Sequence, residues 1–230
     1  MDDSQLNPDE VARYARHIVL KEIGGAGQQQ LKAARVLVIG AGGLGSTVLS
    51  YLAAAGIGLL GVIDDDEVSL SNLQRQIIHD DDTIGIPKVQ SAAGRMRAVN
   101  PFADVRPYQR RLDADSATAL ISDYDLVLDG TDNFATRHAI NRACVRFARP
   151  LVSGAAIRFD GQVIVFDLRD PESACYHCLF PEDGDLEEMR CAVMGVFAPL
   201  VGIIGSTQAA EALKLLSGTG ETLNGRLLML

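Results

Sequence analysis

Gly40, Gly42 and Gly45 form a G-x-G-x-x-G run between an apolar stretch at 35–39 and a leucine- and alanine-rich stretch at 44–55. Between a strand and a helix, such glycines allow a tight turn, close approach of backbone to a phosphate, and close helix packing. The unpaired N–H groups of the helix's first turn then face an anion. Asp64 ends the next apolar run, about 20 residues on, where a carboxylate accepts hydrogen bonds from ribose hydroxyls. The next segment departs from a dehydrogenase: Ser71-Asn72-Leu73-Gln74-Arg75-Gln76, then Lys88 after Gly85-Ile86-Pro87. Two cations after the ribose acid suit a triphosphate better than a dinucleotide, although a solvated Arg and Lys fit the same spacing. Asp129 and Asp132 come after a further apolar run; one of them could hold Mg²⁺ with phosphates completing the shell, and an ordinary Asp-rich turn reads the same way.

These residues need a scaffold. The chain has 230 residues, 47% hydrophobic and 22% charged, which are globular values, and one domain accommodates it. A net charge of −9 argues against nucleic acid and leaves room for a protein partner. The acidic start MDDSQLNPDE does not resemble a targeting peptide, so a cytoplasmic location is expected. Residues 191–210 carry no charge but include Pro199, Gly202 and Gln208, and are expected as a buried helix rather than a membrane span.

Asn7-Pro8-Asp9-Glu10 is a helix start, and that helix is expected to reach Leu20 with Arg13 and Arg16 on one face. Gly24-Gly25-Ala26-Gly27 breaks the pattern. Strands are expected at 35–39, 59–63, 103–108, 125–128 and 151–153, and helices at 44–55, 88–99, 116–121 and 137–147. Near-continuous apolar strands alternating with helices give a Rossmann-like α/β fold with a mainly parallel sheet. Residues 157–160 and 162–167, split by Gly161, suggest an antiparallel pair that continues the sheet. Residues 181–190 read as a polar loop.

The runs GAGGLG, SLSNLQRQ, GIPK, LDGTDN, VSGAAI, CYHC and GVFAPLVGIIGSTQA together resemble the MoeB/ThiF/HesA group, adenylyltransferases of ubiquitin-like sulfur carriers, from about Arg13 to Leu230. The resemblance is nearest to the members serving molybdenum cofactor synthesis. It implies ATP with Mg²⁺, and a carrier protein ending in Gly-Gly whose carboxylate becomes an acyl-adenylate with release of pyrophosphate. The molybdopterin-synthase small subunit is the expected carrier, and the thiamine-pathway carrier is the alternative. Outside this class stand an NAD(P)-dependent oxidoreductase and a non-catalytic carrier-binding scaffold.

Carried over by motif, the nucleotide set is Gly40, Gly42, Gly43, Gly45, Asp64, Asp66, Ser71, Asn72, Leu73, Gln74, Arg75, Lys88, Asp132 and Asn133, with Asp132 on Mg²⁺. Arg75, Lys88 and Asp132 are expected in catalysis. Arg16 is expected to reach the ATP of a partner subunit, which implies a homodimer. The resemblance divides the domain 1–230 into an N-terminal helical segment at 1–34, a nucleotide-binding half at 35–153 and a carrier-binding half at 154–230.

Cys175-Tyr176-His177-Cys178 is half of a four-thiolate zinc site, with His177 a spacer. The family places the second C-x-x-C further along, beyond Leu230, so zinc is expected in a longer chain and weakly or not at all here. Cys144 is expected in the core. Cys191 matches the position at which relatives carry a thiol for chemistry with the carrier or a sulfur donor, such as a sulfurtransferase or cysteine desulfurase, but its C-A-V-M-G context departs from theirs.

Overall fold

The computed structural model describes residues 5–182 and 195–230. Strands β1 (Arg35–Ile39), β2 (Leu59–Asp64), β3 (Asp104–Gln109), β4 (Leu126–Asp129), β5 (Leu151–Ile157), β6 (Asp160–Phe166) and β7 (Leu227–Met229) form one sheet in the order β3-β2-β1-β4-β5-β6-β7. The first five are parallel; β6 and β7 continue the sheet antiparallel. Rossmann-like α/β architecture with a mixed end is therefore what the residues build.

Alternation along each strand divides two cores. Val36, Val38, Leu60, Val62, Leu126 and Leu128 face α3 (Gly24–Ala33), α4 (Gly43–Ala55), α5 (Lys88–Val99) and the last helix, while Leu37, Ile39, Ile63 and Val127 face α6 (Ala114–Ile121) and α7 (Phe134–Phe147). Two short helices, α1 (Pro8–Arg13) and α2 (Ala15–Ile18), precede α3, and α8 (Tyr176–Leu179) comes after β6. The apolar run of the C-terminal third forms α9 (Ala198–Ser217), which buries Leu200, Val201, Ile204, Ala209, Ala212 and Leu215 against α4 and the sheet. Each such leucine or isoleucine stabilises the fold by roughly 1.5–3 kcal/mol. Among the described residues no helix is long and apolar enough to cross a membrane.

Three expectations are corrected. The first helix does not reach Leu20: it breaks at Tyr14, whose buried ring fills the space where Gly56 has no side chain and whose hydroxyl accepts from Asn100 Nδ2 at 2.8 Å. Arg13 and Arg16 therefore sit on different helices. The glycines at 24–27 open α3 instead of breaking a helix; Gly24 has φ +60°, and Gly27 packs against Ile23 and Ser217 where a methyl would press. The strand expected at 151–153 runs on to Ile157, and the hairpin turns at Arg158-Phe159, not Gly161, with Ile157 paired to Asp160. Arg158 takes the left-handed conformation at φ +52°, which a two-residue turn demands and an arginine does not advertise.

Strand order reverses between β1 and β4, whose neighbours lie on opposite sides. The crevice beyond their carboxyl ends is where open α/β sheets bind ligands. The glycine loop leaves β1 there, and the Asp132 loop leaves β4.

Candidate functional site

The glycine loop is held from below and behind. Gly40 has φ +97°, which an L side chain rarely adopts, and its N–H donates to Ile63 O at 2.9 Å. A Cβ on Gly45 would lie 1.9 Å from Gly40 O, so α4 can start this close to the loop only with glycine there. Asp64 accepts from Ala41 N at 2.8 Å through one oxygen and from Asp66 N at 2.9 Å through the other, pinning the loop to the end of β2. Burial pushes the Asp64 carboxyl up, opposed by Lys88 and these two N–H donors. His79 grips the far side: Nε2 lies 3.0 Å from Ala41 O and Nδ1 2.8 Å from Ser91 Oγ.

Above the loop opens a cavity of about 850 Å³. Gly40, Gly42, Gly43, Asp64, Asp66, Asn72, Arg75, Lys88, Asp132 and Asn133 all line it. The cations are differently placed. Lys88 is buried and pairs with Asp66 at 2.7 Å, whereas Arg75 is half-exposed and donates to Ser71 O at 3.1 Å. Asp132 is exposed and, among the described residues, makes no hydrogen bond or ion pair, so its oxygens are free for a cation. Asn133 caps α7, accepting from Thr136 N at 2.9 Å. Gly45 lies behind the lining, and Ser71, Leu73 and Gln74 are outside it; Ser71 and Asn72 instead shape the 3₁₀ turn that carries Arg75. Arg16 is exposed on α2 and does not line the cavity.

These features match a known family. The model of the ThiF family matches residues 14–230. The chain belongs to the ThiF family. It is 47% identical over 226 residues to the molybdopterin-synthase adenylyltransferase of Escherichia coli, covering 98% of this chain and 90% of that protein. It is 45% identical to the sulfur carrier protein adenylyltransferase of Thermus thermophilus, covering 96% and 83%. Among solved structures, Escherichia coli MccB with ATP superposes with a TM-score of 0.84 at 22% identity over 100% of this chain and 70% of that one, a likeness of fold.

Several lining residues of this ThiF-family site escape sequence reasoning. Arg110 and Arg111 stand just beyond β3; a basic pair past the carboxyl end of a parallel strand was the signal. Arg137 of α7 is buried, donates to Thr131 O and to Gly154 O at 3.3 Å, and lies 3.8 Å from Asp129. Burial opposes its charge, but Asp129 and Tyr176 raise its pKa. Asp129 itself accepts from Thr131 N, Thr131 Oγ1 and Ser153 Oγ. So Asp129 is the buried brace of the loop, and Asp132 the exposed carboxylate it presents. Gln208 of α9 donates to Asp129 O at 2.9 Å and Val152 O at 3.3 Å, tying both strand ends to the C-terminal helix. Nothing in the sequence around Gln208 or His79 signals these long-range contacts.

Against the middle of α7, Cys175 and Cys178 bring their sulfurs to 3.7 Å, while Asn141 Nδ2 lies 3.5 Å from Cys175 Sγ. Burial opposes ionisation of Cys175, yet hydrogen bonds from Asn141 and the Cys178 and His177 backbone hold its thiol below the ordinary value. Cys144 is buried in the core, which pushes its thiol far up and leaves it unreactive. Cys191 and the loop positions 183–190 lie outside the described residues. Beside the cavity, the hairpin tip exposes Phe159 at 75%, and Phe197 just before α9 stands against it, 49% exposed, their rings 5.2 Å apart.

Proposed function

We propose that this chain uses ATP to adenylate the C-terminal Gly-Gly carboxylate of a ubiquitin-like sulfur-carrier protein. The observation that carries the reading is the convergence of Asp64, Asn72, Arg75, Lys88 and Asp132 on one cavity above a helix N-terminus. The α4 N–H groups and the loop backbone receive phosphates. Asp64, with one lone pair left on each oxygen, receives ribose hydroxyls. Arg75 and Lys88 neutralise phosphate charge as the carrier carboxylate attacks the α-phosphorus and pyrophosphate leaves. Lys88 changes partner for this, from Asp66 to phosphate. The carboxylate is already ionised at neutral pH, so positioning replaces a general base. Mg²⁺ bound at Asp132 would offset further charge on the phosphates.

The exposed Phe159–Phe197 pair beside the cavity suits an apolar patch on the carrier, whose tail would then enter past Asp160, Gly161 and Met229. A homodimer in which Arg16 of one protomer reaches the other's ATP is the role we assign to that exposed arginine. Zinc fits Cys175 and Cys178: with Zn–S near 2.3 Å, a tetrahedral edge is about 3.8 Å, and the sulfurs stand at 3.7 Å. Two further thiolates would complete that site. Residues 1–230 act as one domain, in the cytoplasm, on the molybdopterin-synthase small subunit, with a sulfurtransferase or cysteine desulfurase supplying sulfur afterwards.

The test is ATP–pyrophosphate exchange with Mg²⁺, run with and without candidate Gly-Gly carriers. Exchange that appears only with the molybdopterin-synthase subunit supports the reading in full. Exchange only with the thiamine-pathway carrier keeps the chemistry and changes the substrate. Absence of exchange by a folded protein that binds ATP would turn the reading into a scaffold.

A further inference from the structure

His138 sits on α7 only 3% exposed, yet among the described residues neither ring nitrogen has a hydrogen-bond partner. Two groups able to bind a metal stand beside it. The His177 ring stands at 5.7 Å and 73° to it, and Glu182 Oε1 lies 3.7 Å from His138 Nδ1. One ligand atom from each of the three residues falls within 4.8 Å of the others. Arg142 pairs with the same Glu182 oxygen, orienting the carboxylate as outer-shell partners do at metal sites.

We propose that His138, His177 and Glu182 form a transition-metal site, separate from the Cys175–Cys178 pair, that ties α7 to the chain after α8. Two imidazoles and one carboxylate are a donor set for Zn²⁺, Co²⁺ or Ni²⁺ and not for Ca²⁺ or Mg²⁺. Bonds of about 2.0–2.2 Å to a tetrahedral ion place donors about 3.4 Å apart. The present spread is closed by shifts of about an ångström in His177 and Glu182, both exposed, with Arg142 following the carboxylate. His177 thus leaves its place as a spacer between thiols and becomes a ligand of the neighbouring ion.

The experiment is a Co²⁺ titration of the full chain carrying C175S and C178S, monitored by absorption. We expect one Co²⁺ per chain, ligand-field bands without a thiolate charge-transfer band, and displacement by Zn²⁺. Adding H177Q or E182Q should weaken uptake at least about 100-fold, since even an outer-shell partner is worth roughly 10–100-fold. No uptake by C175S/C178S, or uptake indifferent to both further substitutions, overturns the proposal. If C175S/C178S does not fold, the imidazole NMR signals of the unsubstituted chain under Zn²⁺ give the same reading: joint shifts of His138 and His177 support the site, and unmoved signals refute it. Neither result bears on adenylation.

Discussion

Around the glycine loop, polar groups hold one another: Asp64 and His79 make two hydrogen bonds each, and Asp129 makes three. Around the hairpin tip, large apolar side chains stand in water and the backbone turns through a left-handed arginine. The two regions share one cavity but face different partners. A nucleotide always has the same shape, so its site can be prebuilt at the cost of burying polar groups. A protein partner supplies its own surface, and an exposed apolar face waits for it. If so, damage at the loop removes chemistry whatever the carrier, and damage at the tip removes only recognition.

The largest effect is expected from Asp132→Ala. The side chain is exposed and makes no hydrogen bond or ion pair among the described residues, so thermal stability should change little. Adenylation, read by pyrophosphate exchange, should fall by at least about 10²–10³-fold. Retained activity would remove Asp132 as the metal ligand and weaken the contrast between the regions. Next comes Gly45→Ala. Its Cβ would meet Gly40 O at 1.9 Å, and backbone cannot yield as a side chain can. A loss of about 3 kcal/mol and of ATP binding is expected by denaturant titration and calorimetry. Gly94→Ala is the control: on α5 its Cβ meets nothing within 4 Å, and it should gain about 0.5–1 kcal/mol.

Phe159→Ala sharpens the comparison from the other side. Exposed at 75%, the ring contributes little to the fold, so melting temperature and ATP affinity should hold. The KM for the carrier should rise about tenfold, the worth of one well-seated aromatic anchor. A fall in kcat at unchanged KM would place Phe159 in the chemistry and not in docking.

The same contrast explains what could be read from the chain. The limits of β1 and α5 coincide with their apolar patterns, and the G-x-G-x-x-G run with Asp64 marks the pocket, because those signals are local. Asp132 was legible as one of two acids, and only the structure separates it from buried Asp129. Arg137, Gln208 and His79 each make at least one contact between 17 and 79 residues away, and no local pattern encodes such a partner. The α3 glycines misled because their rank as helix breakers ignores the packing that Gly27 makes possible. Arg16 was reached only through resemblance; its own surroundings are solvent.

The smallest effect is a pH dependence, and it isolates one brace of the loop. Ala41 O can only accept, so His79 carries its proton on Nε2 and takes the Ser91 hydroxyl at Nδ1; the neutral ring satisfies both. Burial chiefly, with Lys88 adding, lowers its pKa, against opposition from Ala41 O, Asp64 and Asp80. The unfolded chain, with an imidazole near about 6.5, therefore binds the proton more readily. The stability owed to His79 is complete above that value and is lost as pH falls from it through the lowered folded value. Melting temperature should drop over that window, and the drop should be smaller in His79→Gln, whose amide can still bridge Ala41 and Ser91. An equal drop in both proteins would assign the pH response elsewhere and leave the loop's stiffness to Asp64 alone.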